Sequence, residues 1–120
     1  MDYKITRAVP QLPSIDLERA KRFYITQLGF RLYAEYDDLL ILFLDTMELH
    51  LWQCFDQSIP DTSSCYIRVN HIEILYEKYK HLNSICVSLK MQPWGVKEFY
   101  IKDDSGNLLK FGEENFLSPE

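Results

Sequence analysis

The sequence predicts an α+β fold in which two βαβββ modules form a cupped mixed sheet. Three observations predict it. Two stretches carry apolar residues at helical spacing, each follows one short extended segment, and each precedes three strand-like runs separated by turn residues. With 120 residues, 47% of them apolar, the chain has the size of one domain (1–120) with a core of its own, and no second large domain fits. The modules are expected at about 5–54 and 63–116, joined by the polar stretch Cys54 to Ser63 that contains Pro60.

The first helix begins after Asp16. Leu17, Ala20, Phe23, Tyr24 and Leu28 share one face, Glu18, Arg19, Lys21 and Arg22 fill the other, and Gly29 offers a cheap positive φ past the end. The second places Ile72, Leu75, Tyr76, Tyr79 and Leu82 on one face, with Asn70 and Glu73 spaced as a capping box. The extended segments before them are Arg7 to Leu12 and Cys65 to Val69. The runs after them are 30–36, 39–44 and 47–53 in the first module and 85–91, 96–102 and 108–112 in the second. Asp37-Asp38, Asp45-Thr46, Gln92-Pro93-Trp94-Gly95 and 103–107 are the turns between them.

A sheet curled around its own helix leaves one face concave, and alternation tells which side chains line it. In the run 47–53, Met47, Leu49 and Leu51 take the core side, while Glu48, His50 and Trp52 take the other. In the run 65–69, Tyr66 and Arg68 turn away from Cys65, Ile67 and Val69. Trp94 sits on a bend that cannot bury it locally, which makes it a stacking platform for a flat ligand; the competing reading is a cap over the core at a sheet edge. His50 has two readings as well, a cavity group or a hydrogen-bonded packing residue, and no acidic partner is assignable to it.

Bulk chemistry excludes several classes. A net charge of −5 and no basic cluster longer than Lys21-Arg22 argue against a nucleic-acid partner and favour a cationic ligand. The longest apolar run, Leu39 to Leu44, is far short of the roughly 20 residues of a membrane helix. Met1-Asp2-Tyr3-Lys4 lacks the pattern of a secretion signal, so the expected location is the cytoplasm. Cys54, Cys65 and Cys86 fit neither a disulfide framework nor a metal knuckle and are expected as reduced, packed thiols.

The ordered set Val9-Pro10, Phe23-Tyr24, Leu28-Gly29-Phe30, Leu75-Tyr76, Gln92-Pro93-Trp94-Gly95 and Gly106-Asn107 resembles the bleomycin resistance branch of the glyoxalase and dioxygenase (vicinal oxygen chelate) superfamily, from Ala8 to about Phe116. The resemblance implies a homodimer with a swapped N-terminal arm, which explains Pro10 in the first extended segment. It further implies a non-catalytic protein without cofactor, whose dimer-interface clefts each hold one flat, cationic antibiotic unchanged. Trp94 and Gly95 align with the family's stacking bend, Tyr66, Trp52 and His50 fall on strands that line the cleft, and Asp37, Asp38 and Asp61 would supply negative field.

Leu39 stands where the resemblance leads one to expect a second stacking aromatic, with Tyr36 and Phe43 as neighbouring substitutes. Catalytic members hold a divalent metal at positions that align here with Val9, Ser64 and Lys110, none of which suits that role. Lys110 is expected to pair with Glu48 or to meet an anionic group of the ligand. The alternatives are a metal-dependent lyase, dioxygenase or thiol transferase of the same fold, and an interaction module in which Trp52, Tyr66 and Trp94 are core.

Overall fold

The Asp16 carboxylate accepts from the backbone N–H of Arg19 at 3.1 Å and so caps helix α1, Leu17–Arg22, as its sequence position leads one to expect. These details come from a computed structural model, which describes residues 2–114; Met1 and residues 115–120, including Phe116 at the expected end of the second module, lie outside the described residues. The chain leaves α1 through a π-helical turn, Phe23–Gln27, closed by the Leu28 N–H donating to the Phe23 carbonyl. The wider turn lets Phe23, Tyr24 and Leu28 all point into the core. Gly29 then adopts φ +81°, the left-handed conformation that ends the helix.

Strands β1 (Gln11–Ser14), β2 (Arg31–Tyr36), β3 (Leu39–Leu44) and β4 (Met47–Gln53) form one sheet in the order β1-β4-β3-β2, with β1 parallel to β4. The second half repeats the plan with β5 (Ser64–Arg68), α2 (Ile72–Tyr79), β6 (Ile85–Met91), β7 (Val96–Lys102) and β8 (Leu108–Glu114), ordered β5-β8-β7-β6 with β5 parallel to β8. Each half is therefore βαβββ with a mixed four-stranded sheet. Leu49 and Leu51 from β4, and Phe99, Ile101, Leu109 and Phe111 from β7 and β8, are buried in one core with Tyr24, Phe30 and Tyr79.

Two expectations need correction. The first strand starts at Gln11 rather than Arg7, so Pro10 precedes it and Pro13 lies within it. A parallel edge strand tolerates this, because the Pro10 carbonyl still accepts from the His50 N–H at 3.0 Å and opens the ladder. The second helix has no capping box. Its cap residue is His71, at φ +53° and without a side-chain cap bond; the Glu113 carboxylate of β8 instead accepts from the N–H groups of His71 and Ile72 at 3.1 and 2.9 Å. Glu73 is turned aside to pair with Lys97.

The halves are joined along their helix sides. The β7–β8 turn carries Asp103, whose Oδ1 accepts from the N–H groups of Ser105, Gly106 and Asn107, and whose Oδ2 accepts from the Tyr24 hydroxyl at 2.6 Å. The Asn107 amide donates to the Pro13 carbonyl at 2.7 Å, and the Ile15 N–H donates to the Ser105 hydroxyl. Arg19 holds Asp104 at 3.0 Å. Gly106 is required here twice over: its φ is +111°, and a Cβ would meet Asp61 Oδ1 at 2.8 Å. The sheet faces away from the core leave Trp52 of the first half and Tyr66 of the second exposed.

Candidate functional site on the concave faces

In β7, Phe99 and Ile101 point to the core, so alternation turns Glu98 and Tyr100 to the concave face. Register then lays Tyr66, Lys110 and Tyr100 in one row across β5, β8 and β7, and Arg68, Gly112 and Glu98 in the next. Gly112 makes the second row possible, since a Cβ there would lie 2.0 Å from the Tyr66 hydroxyl oxygen. At the end of β6 the chain bends through Gln92 to Gly95, with Gly95 at φ +85° and its N–H on the Gln92 carbonyl at 3.0 Å. This bend sets Trp94 beside Glu98. The indole Nε1–H donates to Glu98 Oε2 at 3.4 Å, the Tyr66 hydroxyl donates to the same oxygen, and the Tyr100 hydroxyl donates to Oε1 at 2.7 Å.

Glu98 is 2% exposed, whereas Trp94 is 61% and Tyr66 45% exposed. A carboxylate thus lies at the root of an aromatic wall of which Trp94 and Tyr66 are exposed. Burial alone pushes the Glu98 carboxyl up, but hydrogen bonds from Tyr100, Tyr66 and Trp94, with the Lys110 charge, outweigh it and hold the group below the usual carboxylate range. The tyrosines respond in the opposite sense. The hydrogen bond to Glu98 pushes Tyr100 up to about 12, and burial followed by the same carboxylate does so for Tyr66. Both remain neutral donors. Arg68 stands 5.1 Å over the Tyr66 ring and Lys110 5.4 Å over the Tyr100 ring.

The first sheet presents Glu48, His50 and Trp52 from β4, matched in register by Phe43, Ile41 and Leu39 of β3. Leu39 lies between Tyr36 and Trp52 as their cross-strand partner, so aromatic rings stand on both sides of the position the sequence gives to leucine. Trp52 is 36% exposed. Glu48 accepts from Arg7 at 2.5 Å and meets His50 Nε2 at 2.7 Å, while the His50 Nδ1 lies 3.1 Å from the Gln11 amide. Hydrogen bonds from Arg7, then from His50, hold the Glu48 carboxyl below its ordinary range. His50 therefore has the acidic partner the sequence did not assign to it. The expected pairing of Lys110 with Glu48 is not formed within the protomer, because Arg7 and His50 take both carboxylate oxygens.

Trp94, Gly95, Tyr66 and Lys110 thus gather on the second face, and His50, Trp52 and Leu39 on the first. Asp38 lies exposed in the β2–β3 turn, its carbonyl accepting from the Gln53 N–H at 3.0 Å. Asp61 is elsewhere. It belongs to the 3-10 turn Pro60–Thr62 against the β7–β8 turn, at the end of β7 opposite Trp94, so within the protomer it does not face the aromatic wall. Val9 precedes β1, where Gln11 is the residue beside His50. Among the described residues no three His, Cys, Asp or Glu side chains gather in a metal-binding arrangement. Cys54 is buried and Cys65 half-buried, but Cys86 is exposed, against the expectation that all three are packed.

The model of the Glyoxalase/Bleomycin resistance protein/Dioxygenase superfamily matches residues 5–111. The chain belongs to this superfamily. A bleomycin resistance protein of Geobacillus stearothermophilus is 29% identical over 127 aligned residues, covering 90% of this chain and 96% of the relative, and one of Staphylococcus aureus matches equally well. The fold is similar to that of the bleomycin-binding protein of Streptomyces verticillus solved with copper(II)-bleomycin, at a TM-score of 0.82 and 24% identity over 91% of this chain and 96% of that one. It is similar as well to the bleomycin resistance determinant of transposon Tn5, at 0.81 and 23% identity over 93% and 100% of the two chains. The doubled βαβββ order is thus that of a superfamily member.

Sequence reasoning passed over Glu98, Tyr100, Arg7 and Gln11. The first two were within reach. Alternation applied to β7 as it was to β4 puts an acid and a tyrosine on the face away from the core, alternating with core residues Phe99 and Ile101.

Proposed function

We propose that the protein is a homodimeric, non-catalytic binding protein of the cytoplasm that sequesters a bleomycin-type antibiotic or a similar flat, cationic aromatic compound. The cleft forms between the Trp94 face of one protomer and the Trp52 face of its partner. One observation carries this reading: Trp94 is held by its ring N–H to Glu98 yet stays 61% exposed, beside the exposed Tyr66 on the same sheet face. Exposed aromatic rings beside a buried carboxylate are suited to stacking a flat ring system and attracting its cationic end. The names of the curated relatives, and the drug bound in a structure of the same fold, point to the same ligand class.

Exposure supports the dimer. Tyr33, Tyr36, Trp52, Tyr66, Met91 and Trp94 are large apolar groups left open on the protomer. An isologous pairing across a two-fold axis would bring each first face against a second face and complete two equal clefts. The deciding experiment is a titration of the purified protein with bleomycin, followed by tryptophan fluorescence and calorimetry. Saturable binding of one drug per cleft, lost in Trp94→Ala, is the expected outcome. Absence of binding at high micromolar drug would overturn bleomycin as the ligand.

A further inference from the structure

Glu98 is the least expected residue of the aromatic wall. Its carboxylate is buried at 2% exposure, and its hydrogen-bond donors are three aromatic side chains: Tyr66 and Trp94 at Oε2, Tyr100 at Oε1. Burying an ionised carboxylate is costly unless hydrogen bonds compensate it, so a role in packing alone would be met better by an apolar side chain. The three donors come from separate elements, β5, the β6–β7 bend and β7. Among the described residues this carboxylate is the acceptor that ties them together, and Gly112 keeps open the space in which the Tyr66 hydroxyl reaches it.

We infer that Glu98 is a positioning residue that locks Trp94, Tyr66 and Tyr100 into one preformed wall for the flat ligand. The inference rests on the binding reading above. A Trp on an exposed bend and a Tyr at a sheet surface would otherwise lose rotamer freedom on binding, and each side chain ordered at that moment weakens affinity by about two- to tenfold. Tying the rings to one acceptor in the free protein removes that loss beforehand. Glu98 has both oxygens engaged and does not itself have to touch the ligand.

The test uses Glu98→Met, which fills the space without an acceptor. In a Trp52→Phe background, Trp94 is the sole tryptophan, since the chain has two. Time-resolved anisotropy of ligand-free protein should show Trp94 gaining fast motion in the Met variant, and tyrosine titration should show Tyr100 ionising at lower pH. Bleomycin affinity in the otherwise native protein should fall about tenfold or more, as two or three side chains lose their tether. Unchanged Trp94 motion, or a freed Trp94 with unchanged bleomycin affinity, would overturn the inference. If Glu98→Met does not fold, Glu98→Gln decides, because its amide offers one oxygen where three donors converge; no change in Trp94 motion or bleomycin affinity would overturn it. Failure of the native protein to bind bleomycin would strike the functional reading, while the anisotropy and titration still report on the tether.

Discussion

The Tyr24 hydroxyl donates to Asp103 Oδ2 at 2.6 Å and thereby fastens the end of the first helix to the β7–β8 turn of the other half. Burial, then the Asp103 charge, raises the Tyr24 hydroxyl well above its ordinary range, so it remains a donor throughout the working pH range. Tyr24→Phe should lower stability by about 1–3 kcal/mol, since it deprives a buried carboxylate oxygen of a partner while keeping the ring. Urea unfolding checks this. Asn107→Ala removes amide bonds to both Pro13 and Asp103 and should cost at least as much.

Gly112→Ala should separate folding from binding. No positive φ constrains this glycine, so the backbone accepts alanine, but the new methyl occupies the place of the Tyr66 hydroxyl. Tyr66 then swings away from Glu98. The protein should still fold, less stable by about 1–3 kcal/mol because a buried carboxylate loses one of its donors, while bleomycin affinity falls about tenfold as the freed ring must be ordered on binding. Calorimetric titration beside a melting curve gives both numbers.

Lys110 stands over Tyr100 in the row that also contains Tyr66, and its charge faces the same opening as Trp94. Against a cationic drug this ammonium is repulsive. Lys110→Met should therefore tighten bleomycin binding at low salt, by about two- to tenfold, and the gain should shrink toward physiological ionic strength as the charges are screened. Weaker binding in the variant would instead indicate that Lys110 meets an acceptor or anionic group of the ligand.

Acid and alkali should act on Glu98 and its tyrosines in opposite directions. The Glu98 carboxyl is held below its unfolded value of 4.5, so its contribution to stability is present above that pH and is lost as pH falls through the lowered value. Tyr66 and Tyr100 are raised from 10.0 to about 12, so their contribution is present below pH 10 and is lost as pH climbs toward 12. Urea midpoints across pH should show an acid limb that flattens in Glu98→Gln. In the tyrosinate titration of that variant Tyr100 should move most, because the Glu98 bond is its leading cause, whereas burial leads for Tyr66.

Much of the fold was legible because the signals are local. Asp16 reaches a backbone N–H three residues away, Gly29 needs only its own φ, and the alternation in β4 follows from the pleat. The opposite faces of Leu49 and His50 could be read from neighbouring letters. The cap of the second helix could not. Glu113 reaches the His71 N–H from 42 residues away, and its pairing depends on β8 lying parallel to β5. The start of β1 was misplaced for a similar reason, since Gln11 becomes a strand residue only by lying beside His50.

The sequence by itself determined the doubled βαβββ order, the core faces of the strands and the exposed aromatic on the Pro-Trp-Gly bend, because periodicity and turn chemistry act over a few residues. The tertiary structure alone decided that Glu98 gathers Tyr66, Trp94 and Tyr100, that Arg7 and His50 occupy Glu48, and that Asp61 stands apart from Trp94. Those relations depend on strand register and on which ends of the sheets coincide. Both are set by packing the whole core at once rather than by any stretch of chain.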